Sequence, residues 1–235
     1  MEPVTASRSI RITAALLGVA GALQLAAAGI RWAPCLVPGG APPTVEGYDP
    51  CALAEDHLRD YVWVSTPFEP VPGAVVLAGI ASLLMVALWA CWAVWMRRHG
   101  LVMVAATVTA VAWLVAGATQ LLAAFTGGTL GVYDYGPVVL LVVPTIAALA
   151  PLVAGLRLAA LTAGSPAPAG SRRGALAAGW MLVALAAVLA FPLVDYALLN
   201  PAFGSHDSPI WSGAPGALGL VAAAVAFAFG AARNR

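Results

Sequence analysis

The chain has 235 residues, 62% of them hydrophobic and only 9% charged, with a formal net charge of +1. Soluble domains carry about 25% charged residues, and a water-soluble chain of this length could not hide so much apolar surface. The composition excludes a soluble enzyme, a nucleic-acid binder and a disordered chain. It leaves an all-α integral membrane protein whose first partner is the lipid bilayer.

Crossing about 30 Å of hydrocarbon takes roughly 20 helical residues. Six stretches suffice, near 12–30, 74–96, 101–125, 137–160, 175–195 and 213–231, which makes residues 1–235 a single polytopic domain. Lipid satisfies no open backbone group, and these runs lack the alternation of a barrel strand, so six transmembrane helices are expected.

Arg8 and Arg11 precede the first span. Basic residues, an apolar run and Ala26-Ala27-Ala28 also resemble a signal peptide. The run exceeds the usual core of about 7–15 residues, and it carries Gln24, so it is read as a retained helix. The loop 31–73 that follows is rich in Pro and Gly and holds Cys35, Cys51 and the acidic stretch Glu55 to Asp60. A disulfide between Cys35 and Cys51 is expected. It would close a loop of about 15 residues, worth roughly 3 kcal/mol in a disputed chain-entropy treatment. Cys91, within the second span, is expected to stay a buried thiol. No C-x-x-C pair is present, which argues against redox catalysis and a cysteine zinc site.

The second span ends in Trp89, Trp92 and Trp95 before Arg97 and Arg98, the pattern of an interfacial aromatic belt. The third places Trp113 near the bilayer centre, where its indole N–H needs a partner. Gln120 lies further along, in the outer half, as Gln24 does in the first span. An unpaired amide in hydrocarbon costs several kcal/mol. The two amides therefore read as helix–helix glue, in one version bonded to each other, or as the lining of a polar cavity. In the fourth span Pro137, Pro144 and Pro151 are seven apart and share one face. Pro144 and Pro151 each free the carbonyl four residues back, so helix kinks are expected there and at Pro192 in the fifth span. Asp195 falls near the outer interface. An acid inside a membrane usually marks function, but at this depth Asp195 reads first as interfacial and hydrated, and second as a proton or cation site.

Two segments repeat. Val19 to Ala28 and Val115 to Ala124 are identical at eight of ten positions, with Thr13-Ala14 and Thr109-Ala110 at the same offset. Gly73-x-Val75-Val76-Leu77 and Gly136-x-Val138-Val139-Leu140 extend the likeness. Related helical hairpins in the same orientation are expected, with the amide-bearing helices parallel.

All eleven basic residues are Arg, which suits a GC-rich bacterial genome. With six spans, Arg8, Arg11, Arg97, Arg98, Arg157, Arg172, Arg173, Arg233 and Arg235 lie on one side. Nine of the ten acids lie on the other, with Arg31 and Arg59. The positive-inside rule puts both termini in the cytoplasm of a multi-pass plasma-membrane protein.

No nucleotide, hydrolase or metalloprotease motif occurs, and no span contains His. Neither metal nor cofactor is expected, and no catalytic residue is assigned. The function expected is an accessory or envelope-associated subunit that docks a protein partner through its extracytoplasmic loops. One alternative is a small transporter or channel with Gln24, Gln120, Trp113 and Asp195 as ligand-binding groups. The other is a lipid or isoprenoid enzyme using Asp195, Asp207 or His206.

Reporter fusions test the topology. Fusions after residues 98 and 174 should read cytoplasmic and one after residue 60 outside; the reverse at any of the three defeats the six-span arrangement.

Overall fold

The computed structural model describes residues 3–36, 71, 73–97, 99–127, 136–163, 169–190, 211 and 213–232. The regular structure among the described residues is all helical. Among the described residues are α1 (Pro3–Trp32), a 3-10 turn (Ala33–Leu36), α2 (Ala74–Trp95), α3 (Gly100–Thr126), α4 (Gly136–Ala163), α5 (Ala169–Ala190) and α6 (Ala214–Ala232). Three stretches are long and apolar enough to cross a membrane: Ser9–Trp32, Ala74–Trp95 and Gly100–Thr126. Thr145–Ala160 in α4 and Ala214–Phe229 in α6 are shorter apolar runs.

Ala and Leu supply the helix propensity, and glycines set where two of the helices begin. Gly73 and Gly213 have φ of 90° and 87°, a left-handed backbone that a Cβ disfavours. In each case the next residue donates back across the turn. Ala74 N–H bonds the Val71 carbonyl at 3.1 Å, and Ala214 N–H bonds the Trp211 carbonyl at 2.9 Å. α2 and α6 thus start alike.

The helices pack as a closed ring in chain order, each chiefly against its two sequence neighbours, with α6 closing on α1. Neighbours run antiparallel. Thr13 near the start of α1 meets Trp92 near the end of α2, whereas Ile30 near the end of α1 approaches Gly73 before α2. Short-range contacts pair Gly79 with Gly117, Thr109 with Ile146, Gly155 with Gly179, and Gly18 with Ala224 in the same sense. It follows that α1 and α3 run in the same direction, both against α2.

Three interfaces, α2–α3, α4–α5 and α6–α1, are more extensive than the others. Each has a glycine facing a backbone carbonyl across the seam. A Cβ on Gly117 would lie 3.2 Å from the Gly79 oxygen, one on Gly179 2.9 Å from the Gly155 oxygen, and one on Gly21 3.0 Å from the Ala217 oxygen. Small residues let helix backbones approach closely, which raises the dispersion gain where burial from lipid gives none.

Several expectations need correction. Arg31 is not in a loop. It closes the last turn of α1, is 3% exposed, and its guanidinium carbon lies 5.7 Å from the Trp32 ring centroid. Trp89 and Trp92 are not interfacial belt residues but core. Their ring centroids lie 5.9 Å apart with the planes inclined by 60°, and Trp92 meets Phe227 of α6 edge-on at 6.3 Å. A three-residue spacing places them on one helix face, and that face points inward. Trp180 lies on the outside of the bundle, as a belt residue would. Pro144 and Pro151, where kinks are expected, fall within α4, and Pro151 is buried. Cys51, Pro192 and Asp195 lie outside the described residues. Cys35 is half-buried in the 3-10 turn, and Cys91 is the free cysteine among the described residues.

The seams predict which glycines tolerate bulk. Gly155→Leu or Gly179→Leu should destabilise the protein by about 1–3 kcal/mol through overpacking, read as a lower melting temperature in detergent. Gly29→Leu, where a Cβ meets nothing within 4 Å, should leave it unchanged. Equal melting temperatures for all three would contradict the seam packing.

Candidate functional site

The polar groups buried in the ring are few, and their partners decide what the bundle interior can do. Gln120 is 1% exposed and Gln24 4% exposed, so both amides face protein. Gln120 bonds Ser82 of α2, with Ser82 Oγ 2.7 Å from Gln120 Oε1 and 3.0 Å from the Ala78 carbonyl. A hydroxyl has one proton for those two acceptors. Sharing is avoided if the amide is turned so that its Nε2 donates to Oγ while Oγ–H bonds Ala78; such a flip preserves the shape of the side chain. In either setting the bond ties α3 to α2.

The expected Gln24–Gln120 bond is not formed. Gln24 Nε2 is buried without a hydrogen-bond partner among the described residues. The reason is the ring: α1 and α3 flank α2 rather than forming one of the main helix pairs, and Ser82 on α2 takes the amide. Trp113 is fully buried, as its place in the third span suggested.

Two threonines do more than the sequence alone reveals. Thr13 Oγ1 accepts a 3.0 Å bond from Trp92 Nε1, tying α1 to α2. Thr109 Oγ1 donates to the Ile146 carbonyl at 3.0 Å and accepts from Ala150 N–H at 3.1 Å. Those two backbone groups are i and i+4 partners in a regular helix. A hydroxyl from α3 therefore bridges the ladder of α4 one residue before Pro151, whose ring clashes with the preceding turn. Hydroxyls of neighbouring helices commonly satisfy backbone groups that a proline disturbs in membranes. A signal for both was present: Thr13 and Gln24, like Thr109 and Gln120, are eleven residues apart, close to three whole turns, hence on one face.

Toward the ends of the bundle the chemistry changes. At the start of α3, exposed His99 lies beside exposed Arg157 of α4, with Arg157 NH2 3.2 Å from His99 Nδ1. At the other end of α1, Arg31 is buried against Trp32. All ten acids fall outside the described residues. No cluster of three or more metal-ligating side chains occurs among the described residues.

Searches against protein-family models, curated proteins and solved structures find no match for this chain.

The Thr109 bridge is testable by stability. Thr109→Val keeps the shape but removes both bonds from α3 to the Ile146 carbonyl and Ala150 N–H, and should cost about 1 kcal/mol. Thr109→Ser should keep most of the stability. Unfolding in mixed micelles measures both, and a Val variant as stable as the wild type would show that the bridge contributes nothing.

Proposed function

We propose that this chain is a six-span plasma-membrane scaffold. Its ring of helices holds up an acidic, disulfide-tied extracytoplasmic cap that docks a protein partner. In this reading both termini are cytoplasmic, and the ring derives from related hairpins. The observation that carries it is how the buried polar groups are used. Ser82–Gln120, Thr13–Trp92 and Thr109 with Ile146 and Ala150 each join one helix to the next round the ring. A bundle whose polar side chains bond mainly to its own helices is a framework, and the groups left for recognition are in the loops, where nine of the ten acids are.

The repeat is supported by contacts that correspond. Thr13 and Thr109 each bond the next helix round the ring, and Gly21 and Gly117 each face the preceding one. Gly179 faces α4 likewise, which extends the pattern to a third hairpin, α5–α6. The bridge from Cys35 to Cys51 is supported by Cys91 being the free cysteine among the described residues.

One observation favours a second reading, a small carrier or channel: the buried Gln24 Nε2 without a hydrogen-bond partner, a donor that a ligand could use. Gln24→Leu separates the two. It should be neutral or stabilising in a scaffold, because an unpaired buried polar group is removed, whereas ligand-dependent stabilisation would disappear in a carrier.

The docking test uses membranes solubilised in mild detergent. On a native gel the wild type should migrate as a complex larger than its own 23.7 kDa chain. Replacing Glu55, Asp56 and Asp60 by their amides, or Cys51 by Ser, should release the monomer while the helical content stays unchanged. A wild type already monomeric, or a complex indifferent to both changes, sinks the docking reading.

A further inference from the structure

The ring has an open crevice of about 440 Å³ between the start of α3 and the last turns of α4. Its walls include Leu101, Val153, Leu156 and Ala160, and His99 and Arg157 line it too. Leu101 and Leu156 are among the most outward-facing large side chains of these helices. In a bilayer this is a surface that lipid must cover. We propose that the crevice binds one anionic phospholipid, with its phosphate on Arg157 and His99 and an acyl chain along the aliphatic walls between α3 and α4.

The polar end has the chemistry a phosphate needs. Arg157 has five N–H donors and no acceptor, so in its contact with His99 the imidazole Nδ1 must accept. A neutral ring that accepts at Nδ1 carries its proton on Nε2, which is then a second donor beside the guanidinium. His99 stands at the N-cap of α3 without making a side-chain cap bond, so the first-turn N–H groups of α3 keep no side-chain acceptor; they add to the site without carrying it. A planar fork of donors suits phosphate oxygens in pairs.

The depth is also right. His99 lies in the turn between α2 and α3, where the apolar run of α2 has just ended. Arg157 lies six residues before the end of α4. From there an arginine stem can run along apolar surface and hold its head at the phosphate level. Basic pockets between transmembrane helices are favourable places for acidic head groups. An anion with no chain would leave the crevice uncovered, so the two halves of the site select a lipid over free phosphate.

The proposal needs the helices to cross a bilayer but not the docking of a partner. It concerns the Arg-rich end of the ring, so its failure would leave the loop-docking experiment at the other end unaffected. The test is native mass spectrometry of the purified protein exposed to equal amounts of phosphatidylglycerol and phosphatidylcholine. The wild type should retain phosphatidylglycerol preferentially. Arg157→Ala should lower that retention about fivefold, the effect of one interfacial arginine. Ala160→Trp, which fills the crevice and keeps both bases, should lower it similarly. Arg11→Ala removes an exposed arginine near the same end of α1 and should change nothing. If Arg157→Ala is not monodisperse, Arg157→Gln and His99→Gln carry the measurement. Equal retention of the two lipids, a wild-type value for the Arg157 variants, an equal loss in Arg11→Ala, or displacement of the lipid by equimolar glycerol phosphate would each overturn the proposal.

Discussion

The close approach of helix backbones at three seams is the constraint on which the rest of this structure depends. Between helices already in lipid, burial of apolar side chains gives little driving force, so cohesion must come from contact at short range. Glycine provides it by removing the Cβ that would strike the facing carbonyl. At the Gly155–Gly179 seam a Cβ on Gly155 would come within 2.6 Å of the Gly179 oxygen, so the two backbones nearly touch. The seams join helices in pairs, and the looser interfaces between pairs close the ring.

Close packing leaves little room for polar side chains, and those that form bonds across the bundle tie one helix to its neighbour. Thr109 is the clearest case. Pro151 removes an N–H from α4 and crowds the turn before it. The hydroxyl that bonds Ile146 and Ala150 comes from another helix. The threonine thus ties α3 to the stretch of α4 that directly precedes the proline. Ser82 and Gln120 do the same between α2 and α3. Gln24 Nε2 and Trp89 Nε1 differ, being equally buried and still unbonded among the described residues.

The looser interfaces are where the bundle can accept something other than itself. Between α1 and α2, the basic end is filled by Trp89, Trp92 and Thr13, with Phe227 of α6 against Trp92. Between α3 and α4, the corresponding end has no large aromatic and opens instead into the crevice beside His99 and Arg157. These two interfaces thus end differently, one plugged by indoles and one left to the surroundings.

The sequence by itself determined the helical class and the six helical segments, because length and apolarity are properties of each segment alone. All six observed helices overlap the predicted spans, and the boundaries of α2 and α3 agree within about a residue, the usual scatter of helix ends. It also marked Gln24, Gln120 and Trp113 as buried, since lipid-facing amides and a central indole N–H are too costly. What it could not determine was which helix stands opposite a given face. That made Arg31 a loop residue, made Trp89 and Trp92 belt residues, and paired Gln24 with Gln120 when Ser82 holds the second amide. Only the tertiary structure decided these, because a helix face has no intrinsic inside. The order and rotation of the helices round the ring, fixed jointly by the glycine seams, decide which side chains meet a hydroxyl, a carbonyl or the lipid.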